Sequence, residues 1–118
     1  MPITLTIDTK LVNQGGRVNL AVSFTPPDDE TEALINIGII RPDGTKEYPI
    51  YMQRFPLPSS VTQTGAAYIT KVQGWHKVFA QVFYYTNGSQ IENEITAKQP
   101  FFVGPVIGPI IPTPLPTG

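Results

Sequence analysis

Apolar and polar side chains alternate along residues 17–24, RVNLAVSF: Val18, Leu20, Val22 and Phe24 fall on one face, and Arg17, Asn19, Ala21 and Ser23 on the other. A period of two with one apolar face is the mark of a half-buried β-strand. The same period returns in ALINIGIIR (33–41), where Ala33, Ile35, Ile37 and Ile39 alternate with Leu34, Asn36, Gly38 and Ile40, so that both faces carry apolar groups. RPDGTK predicts a turn, since Pro42 presets its own φ, Asp43 can bond the local backbone and Gly44 accepts positive φ. A hairpin into KEYPIYMQ follows, and Pro49, which has no N–H for a ladder, puts that strand at a sheet edge or interrupts it. FPLPSSVTQTG (55–65) reads as a connection. AAYITKV, a tight QG, the long WHKVFAQVFYY (75–85), the turn TNGSQ and one last strand through IENEITAKQPFFV (91–103) complete the body. No ten residues show helical periodicity free of Gly, Pro and β-branched runs. About seven strands with turns every 8 to 12 residues or so predict an all-β, antiparallel β-sandwich.

Length and charge narrow this picture. The 118 residues, 41% of them hydrophobic, suit one domain able to bury a core unaided. Zero cysteines remove disulfides, thiolate chemistry and Cys-based zinc sites. With a net charge of -1 and eight scattered Lys and Arg, the chain has no basic field for nucleic acid. The start MPITLTIDTK lacks the features of a secretory signal peptide, and no stretch is long and apolar enough to span a bilayer. The expectation is either a protein made and used in the cytoplasm or a mature form that carries a new Met.

Little here supports catalysis. The one histidine, His76, stands between Trp75 and Lys77, neither of which would orient it as a proton shuttle, and a buried or rim position fits it better. Asp28, Asp29, Glu30 and Glu32 sit in the loop PPDDETE and have no evident positioning partners for acid–base work with Glu92 or Glu94. A calcium site there is the sharper alternative, but the regular spacing of a dedicated calcium loop is missing. NQGGR (13–17) is a hairpin or bulge signal and no phosphate cradle. No enzyme activity, cofactor or metal is expected.

The strongest hint lies in GWHKVFAQVFYYTNG. If Val78, Ala80, Val82 and Tyr84 face the core, then Trp75, Phe79, Phe83 and Tyr85 line the opposite face, with Lys77 and Gln81 between them. A sandwich strand needs one apolar face, so the second is a candidate contact surface for another chain. The alternative is the inverse arrangement, aromatics inside and small residues outside.

This stretch resembles bacterial and phage immunoglobulin-like domains, which carry a Gly, a skipped residue, a Tyr and then alternating small apolar residues along their penultimate strand. Gly74, Val78, Ala80 and Val82 match, while His76 takes the place of the Tyr. The RPDGT hairpin after a hydrophobic third strand is similar too. The likeness covers about residues 1–103 and implies an immunoglobulin-like sandwich. For a short chain with its own Met and an apolar tail, it further implies a structural virion protein that decorates the outside of a phage capsid. The implied partner is the major capsid protein or another virion protein, with homo-oligomers allowed and no nucleic acid or membrane span. A carbohydrate- or receptor-binding adhesive module, with Trp75, Tyr84 or Tyr85 stacking on sugar, is the alternative.

Residues 104–118, GPVIGPIIPTPLPTG, form a separate Pro-rich arm with no charge after Lys98. Its five prolines favour an extended, polyproline-like path. Ordinary disordered linkers are polar, whereas Val106, Ile107, Ile110, Ile111 and Leu115 are not. The expectation is an arm that becomes ordered beside a partner and binds through those five side chains.

Overall fold

The computed structural model describes residues 3–25, 32–55, 62–86, 88–96 and 98–115. Nine strands are present among them: β1 (Thr4–Ile7), β2 (Leu11–Asn13), β3 (Arg17–Phe24), β4 (Glu32–Ile40), β5 (Lys46–Phe55), β6 (Thr62–Ile69), β7 (Gly74–Thr86), β8 (Ser89–Ile95) and β9 (Gln99–Gly104). They form two sheets in a sandwich. The smaller has the order β1-β3-β6 and the larger β2-β9-β7-β4-β5, with β8 also paired to β7. Alternation along β3 comes out as its sequence predicts, with Val18, Leu20, Val22 and Phe24 buried. They meet Ile35, Ile37 and Ile39 of β4 and Val78, Ala80, Val82 and Tyr84 of β7 in one core.

Three features depart from the expected all-antiparallel arrangement of about seven strands. First, β2 pairs with β9 in parallel, Leu11 opposite Phe102 and Asn13 opposite Gly104. The chain leaves the small sheet after β1, lies for three residues against the large one, and returns through a turn at Asn13–Gly16. That turn is fastened by Thr70, whose hydroxyl accepts from Gly15 N (2.9 Å) and reaches the carbonyls of Asn13 (3.1 Å) and Gly16 (3.2 Å). Second, the single last strand is split. Thr96 bonds Ala80 through its N–H and its hydroxyl, both at 2.9 Å, and fills the gap in the ladder where β8 gives way to β9. Third, Thr62–Gly65, expected to be connection, belong to β6 and pair with β3 in unbroken register. The acidic residues Asp28, Asp29 and Glu30 lie outside the described residues, and Glu32 pairs with Arg54 at the end of β4.

His76 is a core residue. Its ring stacks on Phe101 with centroids 4.9 Å apart and an interplanar angle of 19°. Nδ1 lies 3.0 Å from the Gly74 carbonyl, which can only accept, so the proton sits on Nδ1 and Nε2 is left buried without a partner. Burial is the main cause that holds the His76 pKa below its ordinary 6.5. The unfolded chain therefore binds a proton near that value which the folded chain refuses. The associated stability is complete above the unfolded pKa and is lost as pH falls from there toward the lower folded value. Unfolding midpoints of the wild type should begin to drop as pH falls through the unfolded value of about 6.5, and His76→Leu should lack that drop. Further loss below about pH 4 should appear in both proteins, because Asp8, Asp43 and Glu47 all have lowered pKa values in the fold. Denaturant titrations at half-unit pH steps check both windows.

Candidate binding surface

Even-numbered residues of β7 from His76 to Tyr84 point into the core, so Trp75, Lys77, Phe79, Gln81, Phe83 and Tyr85 lie on the outer face of the large sheet. Cross-strand register assembles that face in rows. Lys46, Ile40 and Lys77 are in line across β5, β4 and β7, and so are Asn36, Gln81 and Ile95 across β4, β7 and β8. The four predicted aromatics thus share a surface, but they are not equally available on it.

Phe79 is the most covered. Its ring lies across Gly38 of β4, where a Cβ would collide with it. Tyr48 meets it edge-on with centroids 6.3 Å apart. Phe83 and Tyr85 are half-buried. In their place, Tyr48 and Tyr51 of β5 provide exposed aromatic area, with rings edge to face at 5.6 Å. Strict alternation would send residues 48 and 51 to opposite faces. Two register shifts in the β4–β5 ladder, between Ile35 and Ile37 and between Ile37 and Ile39, each give β5 one extra residue, and the second, between Glu47 and Ile50, restores both tyrosines to one side. Met52, at φ 51, belongs to the first bulge, and its N–H donates to Asn36 Oδ1 at 2.7 Å. Pro49 between the two tyrosines was the sequence signal for this irregularity, and β5 is indeed an edge strand.

The arm supplies the other cover. Past β9 the chain turns at Val106–Gly108 and runs back over the large sheet. Asn13 Nδ2 donates to the carbonyls of Pro105 (2.8 Å) and Gly108 (3.1 Å). Ile110 sits where a Cβ on Gly104 would be, 2.9 Å from its nearest side-chain atom. Trp75 Nε1 donates to the Thr113 carbonyl at 2.8 Å, while its ring packs edge-on against Phe102 at 5.2 Å. Residues 105–115 are therefore laid against their own domain. Of the five arm residues expected to bind a partner, Ile110 is partly covered by the domain, and Val106, Ile107, Ile111 and Leu115 are exposed.

No model of a known protein family and no curated protein sequence matches the chain.

Two shallow clefts break the outer face. One, of about 300 Å³, lies over Phe79 and Gln81 and is bounded by Tyr48, Ile95, Lys46 and Lys98. The other, of about 290 Å³, is lined by Ile40, Pro42, Trp75, Lys77 and Lys98 among others. Among the described residues no acidic side chain lines either, and the described lining is aromatic and aliphatic with a cationic fringe. Among the described residues, no three acidic, His or Cys side chains converge to hold a metal. No described helix is long and apolar enough to cross a membrane.

The main polar cluster lies elsewhere and joins the two sheets. Glu47 of β5 accepts from Lys71 Nζ at 2.7 Å and from the Tyr68 hydroxyl of β6, with Arg41 at 3.8 Å. The Lys71 bond, followed by that of Tyr68, holds the Glu47 pKa below its usual value. Burial and the neighbouring carboxylate push the Tyr68 hydroxyl well up. Tyr68 therefore stays a neutral donor, and the cluster acts as a clasp between sheets.

Two measurements test this surface. The chain has one tryptophan, so Trp75 emission reports on the arm directly. Deleting residues 109–118 should shift that emission to the red and leave the cooperative unfolding transition in place; an unchanged spectrum would mean that the arm does not cover Trp75. Gly38→Val should destabilise the domain by about 1–3 kcal/mol, because its added carbons displace the Phe79 ring, and Phe79→Ala in the same chain should recover part of the loss.

Proposed function

We propose that this chain is a non-enzymatic, immunoglobulin-like virion accessory protein that decorates the outside of a phage capsid. The outer face of its large sheet and its C-terminal arm together form the contact surface. The observation that carries this reading is where the exposed large hydrophobic side chains gather. Leu11, Tyr48, Tyr51 and Ile95 lie on that face, and Val106, Ile107, Ile111 and Leu115 lie on the arm that crosses it. Tyr51 is 70% exposed and Ile107 86%. Exposed apolar side chains gathered on one face of a small domain mark a binding surface.

The immunoglobulin-like reading is supported by strand order. A β3–β6 pair faces a sheet in which β4, β7 and the β8/β9 strand are neighbours, as B–E and C–F–G are in that fold. The non-enzymatic reading is supported by His76, whose unpaired Nε2 is buried, and by Glu47, whose oxygens are taken up by Lys71 and Tyr68. Because the arm already lies in place, less ordering entropy is lost when it docks. Two contact elements on a repeating shell then reinforce one another through effective concentration.

The exposed Tyr48–Tyr51 pair favours a second reading, an adhesive module that stacks sugar rings on those tyrosines. One experiment separates them. Co-sedimentation with assembled shells of the major capsid protein from the same genome should retain the wild type. Tyr51→Ser combined with Ile107→Ser and Ile111→Ser should weaken retention by at least about tenfold, since each exposed side chain contributes on the order of 1 kcal/mol once buried. No retention of the wild type on shells, together with binding of the isolated chain to a glycan panel that Tyr51→Ser abolishes, would choose the adhesive reading instead.

A further inference from the structure

The two sheets are not equally protected at their edges. An edge strand exposes main-chain N–H and C=O groups that can template another strand, and proteins blunt such edges with charge, proline, bulges or short length. β5 has Pro49, two register shifts and the charged residues Lys46, Glu47 and Arg54. β8 contains Glu92 and Glu94 and one register shift, and β1 and β2 are four and three residues long. β6 has none of these devices. Its eight residues, TQTGAAYI, contain no charge and no proline, and pair with β3 from end to end without a shift.

The ladder also shows which groups β6 turns outward. Thr70 N donates to Gly16 O, and Asp8 N donates to Asn19 O on the other side of β3. Alternation from these two bonds directs the main-chain groups of Thr64, Ala66 and Tyr68 toward β3 and those of Gln63, Gly65, Ala67 and Ile69 away from it. Among the described residues, no backbone bond is made to that outer row. A cleft of about 570 Å³ opens beside it, lined by Ala67, Tyr68 and Ile69 of β6 and by Glu47 and Tyr48 of β5. Ile69, a large exposed hydrophobic of β6, is at this edge.

We infer that β6 is an association edge, and that its occupant is β6 of a second copy of this chain, paired antiparallel about a two-fold axis at Ala66. Self-pairing suits this strand because nothing along it repels its own image. With the axis at Ala66, the outward groups of Gly65 face those of Ala67 in the other copy, and Gln63 faces Ile69. The two three-stranded sheets become one of six strands, and the arm of each copy and its aromatic face beyond Tyr48 remain free. Isologous pairing of this kind closes at a dimer.

Sedimentation velocity over a range of concentrations should show a monomer–dimer equilibrium. Ala67→Pro removes an outward N–H without touching a β3 bond, so it should weaken dimerisation by about tenfold or more while leaving a folded monomer, two hydrogen bonds being lost per dimer. The register has its own test. Gln63→Lys with Ile69→Lys places like charges opposite each other and should abolish the dimer, and Gln63→Glu with Ile69→Lys places opposite charges there and should keep it. Ala66 meets its own image in a non-hydrogen-bonded pair, where Cα atoms about 4.5 Å apart suit a disulfide. In a chain without cysteine, Ala66→Cys should give a covalent dimer on oxidation, and Ala21→Cys, exposed on β3, should not. A wild type that stays monomeric at every concentration, or a dimer that survives both Ala67→Pro and the double lysine variant, would overturn the inference.

Discussion

β7 is hydrogen-bonded along both sides, to β4 on one and to β9 and then β8 on the other, and it is apolar on both faces. The rest of the molecule is arranged around that constraint. Facing the smaller sheet, small and branched side chains at 78, 80 and 82 let the isoleucines of β4 and the valines of β3 close together, with Tyr84 and Phe24 in contact at one end. The aromatic volume is left on the other side. Burying one such ring is worth roughly 1.5–3 kcal/mol, so a second cover is worth building.

Three separate pieces of chain contribute that cover, each by its own device. Gly38 leaves the space that the end of the Phe79 ring takes over β4, and the bulged edge strand brings Tyr48 against that ring. The arm crosses Trp75 and Phe102, with Ile110 fitted to the space that Gly104 leaves. The cover is incomplete, and its own outer side is apolar. Ile110 turns in, whereas Ile107 and Ile111 turn out. The arm is thus held on its own domain at Pro105, Gly108, Ile110 and Thr113, with Val106, Ile107, Ile111 and Leu115 left exposed.

Much of the body was legible from one-dimensional pattern. β3 and β7 follow their alternation residue by residue, while the two faces of β7 stayed open to either assignment until the tertiary packing put Val78, Ala80, Val82 and Tyr84 in the core. His76, unpromising as a proton shuttle because of its neighbours, is stacked in the core. Other features did not show. Thr62–Gly65 look like loop because they are polar and small, yet β3 offers a complete ladder of partners and draws them into β6. Tyr48 and Tyr51, three apart, do not look like neighbours until a bulge between Glu47 and Ile50 places them together. The arm was expected to wait for a partner because nothing in its own residues reveals that Asn13 and Trp75 would hold its carbonyls.

By itself, the sequence determined what depends on near neighbours: where strands run, which side chains share a face, and where proline and glycine break the rhythm. Those properties follow from the pleat and from sterics within a few residues. Tertiary structure decided the parallel placement of β2, the split of the last strand at Thr96, the bulged tyrosine platform, the folded-back arm and an outer row of β6 that no described backbone group pairs. Each of these depends on which main-chain groups and which surfaces remain unpaired after the sheets have met. That remainder is a property of the assembled whole, to which no short stretch of residues gives access.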